Sequence, residues 1–116
     1  MNEERQRGAN PRIERIAQIV REEIASVLDD EIEDARLEGV RIVSAEVSSD
    51  GRHARVGYAV PKEWFDDRPR RDAIARALER ANGFFRSRLG DAIELKRVPE
   101  ITFVFDAVAS AAVQGE

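Results

Sequence analysis

The strongest constraint on the fold is one long apolar stripe. Ile13, Ile16, Ala17, Val20, Ile24, Val27 and Leu28 recur at steps of three and four, the spacing of a single helix face. A helix so one-sided is unstable alone in water and needs a flat apolar partner. Its start is marked by Asn10, which can cap, and by Pro11, whose fixed φ suits the first helical position. The acids from Asp29 to Asp34 end the pattern near Ile32, and a loop carries Asp34-Ala35-Arg36 on to Gly39.

The partner is supplied by a change of period from 3.6 to 2. Val40 to Val47 reads as a strand whose apolar phase shifts between Ile42 and Val43, which predicts a bulge or a partly double-sided strand. Asp50-Gly51 then lies between two extended runs, the strongest short signal for a hairpin turn. Ala54, Val56, Tyr58 and Val60 alternate with His53, Arg55, Gly57 and Ala59, predicting a second strand with one buried face that Pro61 ends. A polar loop from Lys62 to Pro69 holds Trp64 and Phe65, which either stack on a base or anchor the loop to the core.

Helical spacing returns at Ile74, Ala77, Leu78 and Ala81 and is interrupted at Asn82-Gly83, a pair tolerant of left-handed backbone. Phe84, Phe85 and Leu89 then resume an apolar face, so two helices meeting at a kink are predicted from about Pro69 to Leu89. Ile93, Leu95 and Val98 read as an extended lead-in, and Ile101, Phe103 and Phe105 as a third strand. The order helix, strand, strand, helix, kink, helix, strand predicts an α+β fold with a three-stranded sheet and helices on one face. One domain over residues 11–106 is expected between a flexible N-terminus (1–10) and a flexible, small and polar tail (107–116).

The chain has no cysteine and one histidine, His53, which excludes disulfides, thiolate metal sites and a histidine cluster. The paired carboxylates Glu22-Glu23, Asp29-Asp30-Glu31 and Glu33-Asp34 read as a solvated helix end rather than a Mg²⁺ site. A Gly-rich phosphate loop, a Ser-His-Asp set and a cysteine nucleophile are all missing. Neither catalysis, nor a cofactor, nor a small-molecule substrate is therefore expected. No apolar run reaches the roughly 20 residues that span a bilayer, and Met1 to Asn10 has no signal-peptide core. A cytoplasmic monomer without membrane contact is the expectation.

The net charge of −4 argues against indiscriminate nucleic-acid binding, yet the charges are unevenly placed. Glu22 to Glu38 holds eight acids and one base, Arg36, whereas Arg68 to Arg97 holds nine bases against four acids. Around the kink, Ala81 and Gly83 permit close packing and backbone approach, Asn82 between them joins the candidate contact, and Arg86 and Arg88 supply charge for a phosphate backbone. Arg76 and Arg80, four residues apart, extend the track, and Lys96 and Arg97 flank it. Arg12 and Arg15 open the first helix, where positive charge opposes the helix dipole and so hints at binding. Arg52, His53 and Arg55 sit at the hairpin. From the residues alone these arginines equally fit a solvated helix cap, and the acidic helix end equally fits a protein-protein adaptor surface.

Taken in order, several segments resemble the ribosome-binding factor A family. They are Arg12-Ile13-Glu14-Arg15-Ile16-Ala17, Asp34-Ala35-Arg36, Val47-Ser48-Ser49-Asp50-Gly51-Arg52-His53-Ala54, Ala81-Asn82-Gly83-Phe84-Phe85-Arg86-Ser87-Arg88-Leu89-Gly90 and Val98-Pro99-Glu100-Ile101-Thr102-Phe103. The likeness runs from about Arg12 to Asp106. It implies a type II KH-like domain in which an Ala-x-Gly kink, here Ala81-Asn82-Gly83, replaces the Gly-x-x-Gly clamp. It further implies binding to the free small (30S) ribosomal subunit and its 16S rRNA. Late maturation, including 5′-end processing of that RNA, and a role in the cold are also implied. The chain departs from the family at Ala35, where proline is usual, and after Asp106.

Overall fold

The computed structural model describes residues 10–93 and 97–113. Helix α1 spans Pro11–Asp30, and the Asn10 Oδ1 accepts the Ile13 N–H at 3.2 Å, the cap anticipated from sequence. Its stripe is buried at Ile13, Ile16, Val20, Ile24, Val27 and Leu28. The helix stops where the N–H groups of Glu31 and Ile32 both turn back to the Val27 carbonyl. Asp34 then caps a single 3₁₀ turn, Ala35–Leu37, by accepting from the Arg36 N–H at 3.0 Å.

Strands β1 (Arg41–Val47) and β2 (His53–Ala59) pair antiparallel, and the register slips between Ile42 and Ser44. The phase shift in the sequence is this bulge. At the hairpin, the Gly51 N–H donates to the Ser48 carbonyl at 2.8 Å with a φ of 75°, a left-handed conformation that glycine adopts without penalty. Strand β3 (Glu100–Phe105) runs parallel to β2, giving the order β1-β2-β3. A parallel neighbour demands a crossover, and the helices α2 (Arg68–Arg80) and α3 (Asn82–Ala92) provide it.

The central strand departs from simple alternation. Ala54, Val56, Tyr58 and Val60 are buried as expected, but so are Gly57 and Ala59. A Cβ at Gly57 would collide with the Ser44 hydroxyl across the β1–β2 pair, so glycine there permits a close side-chain approach. Trp64 and Phe65 anchor their loop: Phe65 meets Phe105 edge-on at 5.7 Å, and the Trp64 ring lies between Gly39 and the Arg70 guanidinium.

The tail does not follow the expectation of a flexible segment from residue 107. Ala107–Val113 forms helix α4, and the Asp106 Oδ1 caps it by accepting the Ala109 N–H at 2.8 Å. The fully buried Ser110 hydroxyl accepts the Val60 N–H at 3.0 Å and donates to the Asp106 carbonyl at 2.8 Å. The β2 ladder stops at Ala59 and β3 at Phe105, so the Val60 amide lies beyond the paired strands, and one serine in an alanine-rich turn fits closely enough to supply its partner. The sequence signal was a polar residue among small ones, which composition alone reads as loop.

Candidate nucleic-acid interface

The bend between α2 and α3 sits at Ala81, with φ −85° and ψ 1°. Helical bonds flank it, from the Ala81 N–H to Ala77 at 3.1 Å and from Phe85 to Ala81 at 3.0 Å. Positive φ occurs among the described residues only at Gly39 and Gly51, so Asn82-Gly83 does not use the left-handed freedom read from sequence. Nor does Gly83 serve internal packing: a Cβ built there meets nothing within 4 Å. Side chains on its inner side hold the kink instead. Asn82 donates through Nδ2 to the Ile101 carbonyl at 3.1 Å, tying the first residue of α3 to β3. Arg86 donates to the Val98 and Pro99 carbonyls at 3.0 and 3.3 Å.

The sequence-predicted cations therefore divide by what they touch. Arg86 is half-buried and clasps the lead-in to β3; it positions the kink. Arg88 is exposed but paired with Glu31 at 3.0 Å, with Asp91 at 3.9 Å. Arg76, Arg80 and Arg97 are exposed and make no ion pair within 4.0 Å among the described residues. Lys96 lies outside the described residues. Arg12 and Arg15 are exposed on the first turns of α1.

The arginines do not gather into one cluster around the kink. The start of β3 meets the hairpin through the Glu100 N–H, which donates to the Arg52 carbonyl at 2.8 Å, and meets the kink through Asn82. Arg52 and Arg97 thus bracket that strand end. The first turn of α1 borders the same hairpin across a shallow groove lined by Ile13, Val47, Ser48 and His53. Arg88 instead faces the acidic segment, where Asp34 also holds Arg36 in a two-pronged contact at 2.7 and 3.0 Å. That bond holds the Asp34 carboxyl below its ordinary value, and Arg80 adds a smaller pull in the same direction. Acidic and basic stretches that are separate in sequence are therefore adjacent in space. The reason is that the end of α1 packs against α3 and the Ala35–Leu37 turn against α2.

One residue was misplaced by the sequence reading. Phe84 is exposed, while Phe85 is buried and packs at a tilt of 55° against Phe103 with ring centroids 5.3 Å apart. The signal was present: Phe85 and Leu89, four apart, own the inner face, and adjacent residues on a helix point about 100° apart. No group of three or more His, Asp or Glu is placed to hold a metal ion among the described residues, and no helix there is long and apolar enough to cross a membrane.

A family model described as Ribosome-binding factor A matches residues 12–116. A ribosome-binding factor A from Heliobacterium modesticaldum is 40% identical over 98 residues, covering 84% of this chain and 78% of that protein. The crystal structure of ribosome-binding factor A from Thermus thermophilus superposes with a TM-score of 0.67 at 21% identity, over 79% of this chain and 93% of that one. A homology model of the Thermus thermophilus factor, fitted into a cryo-EM map of its 30S complex, gives a TM-score of 0.59 at 21% identity. It covers 78% of this chain and 90% of that one.

Proposed function

The chain belongs to the ribosome-binding factor A family, and from that premise we propose that it binds the free 30S subunit through 16S rRNA and promotes late subunit maturation, including 5′-end processing of that RNA. It does so by binding, in the cytoplasm, without covalent chemistry.

The observation that carries this reading is the kink. Gly83, the second residue of α3, leaves its missing side chain facing open space, while Asn82 and Arg86 fasten the inner side to β3 and its lead-in. A held helix start with nothing projecting from it lets a sugar-phosphate backbone approach the main chain. Arg76, Arg80 and Arg97 are the exposed cations that remain for phosphates, with Arg52 and Arg12 farther along the β3 end. Arg88 reaches phosphate by exchanging one anion, the Glu31 carboxylate, for another. The overall charge of −4 repels RNA elsewhere on the surface, so binding depends on matching this patch to a shaped site.

Sucrose-gradient fractionation of cell extract tests the proposal. The protein should track free small subunits and avoid complete ribosomes, and its binding should weaken steeply with salt, as phosphate contacts require. Arg76→Glu with Arg97→Glu should reduce co-sedimentation at unchanged thermal stability. Protein that stays at the top of the gradient, or binds independently of salt, overturns the reading. Depletion should leave 16S precursors with extended 5′ ends by primer extension; mature ends in depleted cells would remove that part of the claim.

A further inference from the structure

We propose that Phe84 is a stacking platform for one unpaired base of single-stranded RNA. This rests on the RNA-binding reading of the kink and deepens it, adding a base contact to a surface otherwise described by charge.

Among the described residues only two large hydrophobic side chains are exposed, Phe84 at 43% and Val108 at 80%. Val108 lies on α4, bordering the sheet face that carries Ser44 and Gly57. Phe84 lies on the first turn of α3, immediately after the open Gly83. Its helix is held in place: Phe85 is locked under Phe103, Asn82 is bonded to Ile101, and Arg86 to Val98 and Pro99. The ring is therefore presented from a fixed backbone and needs little ordering on binding, which favours affinity.

Its neighbours choose the occupant. Gly83 and Ser87 are exposed and small or polar, and Arg88, one turn along the same side of α3, is an exposed cation shared with Glu31. A protein partner would need a broad apolar patch, and here one ring stands among polar residues. That area matches one nucleobase. An aromatic ring beside a guanidinium, next to a glycine that admits the backbone, is the combination that takes unstacked bases and their phosphates. A duplex keeps its bases stacked inside and offers the ring nothing.

The test uses the full chain with Phe84→Ala and Phe84→Trp. Three probes serve: small subunits, a short oligoadenylate, and an abasic ribose-phosphate oligomer of equal length. Phe84→Ala should melt as the parent does, since the ring is exposed. It should bind subunits and oligoadenylate roughly tenfold more weakly and bind the abasic oligomer as the parent does. Phe84→Trp should keep parental affinity, and its emission should be quenched by oligoadenylate and not by the abasic oligomer. The parent, whose one tryptophan is Trp64, gives the background. Equal subunit binding by Phe84→Ala and the parent overturns the stacking proposal and leaves the ribosomal function standing, as does a parent that does not prefer oligoadenylate to the abasic oligomer. A parent that fails to bind subunits at all overturns both.

Discussion

Two short Asx-Gly pairs, Asp50-Gly51 and Asn82-Gly83, are close in chemistry and opposite in use. At the hairpin, Gly51 stands at φ 75° and closes a turn with Ser48. The Asp50 carboxylate accepts from the Ser48 hydroxyl at 2.6 Å and from the Arg52 N–H at 3.0 Å. At the kink, Gly83 lies inside a helix with ordinary φ, and the side chain of Asn82 bonds outward to another element. The flanks make the difference. Strands that must reverse leave the glycine no alternative to the left-handed region, whereas helices able to continue their i→i−4 bonds need only a bend. Glycine in a sequence thus marks permission, and the surrounding pattern decides whether the fold uses it. The unused permission at Gly83 is what remains available to a partner.

The comparison is broken most forcefully at the anchors. Arg86→Met, which keeps the aliphatic stem and removes the two carbonyl bonds, should cost about 1–2 kcal/mol in urea unfolding. Unchanged stability would mean that the kink is not held from its inner side. Gly51→Val places a β-branched residue in the left-handed region and should cost a similar or slightly smaller amount, about 1–2 kcal/mol.

Gly83→Ala should have the opposite sign. A methyl group there meets open space and suits helical φ, so thermal stability should rise by about 0.5–1 kcal/mol while small-subunit binding falls. A variant that loses stability would erase the distinction between the two glycines, and one that keeps full binding would remove the backbone-approach argument.

The smallest effect is on pH. The Ser48 hydroxyl first, then the Arg52 N–H, lowers the Asp50 carboxyl below its usual value. A carboxyl depressed in the folded state contributes stability above its unfolded pKa, about 3.9, and loses it as pH falls through the lower folded value. The urea midpoint of Asp50→Asn should therefore lie slightly below that of the parent at neutral pH and converge with it in acid. A constant difference across the range would deny the carboxylate its part in the turn.

Much of the architecture was legible because it rests on periodicity. The α1 stripe, the β1 bulge, the hairpin and the division into α2 and α3 each follow from where apolar residues fall. The tail was not legible, because Ser110 acquires meaning only from the Val60 amide fifty residues earlier. The candidate site was legible in location and misleading in detail. Arg86 reads as a surface cation until the Val98 and Pro99 carbonyls are seen beside it. Arg88 reads as free until α1 delivers Glu31. Phe84 reads as core until Phe85 is seen to occupy that place.

By itself the sequence determined the helices and strands as far as Phe105, where the chain turns, and the kinship that points to the ribosome, since all of these are local or ordered along the chain. Only the tertiary structure decided which arginines are engaged by the protein and which face solvent. Charge pairing depends on distances of about 3–4 Å between residues far apart in sequence, and periodicity carries no information about them.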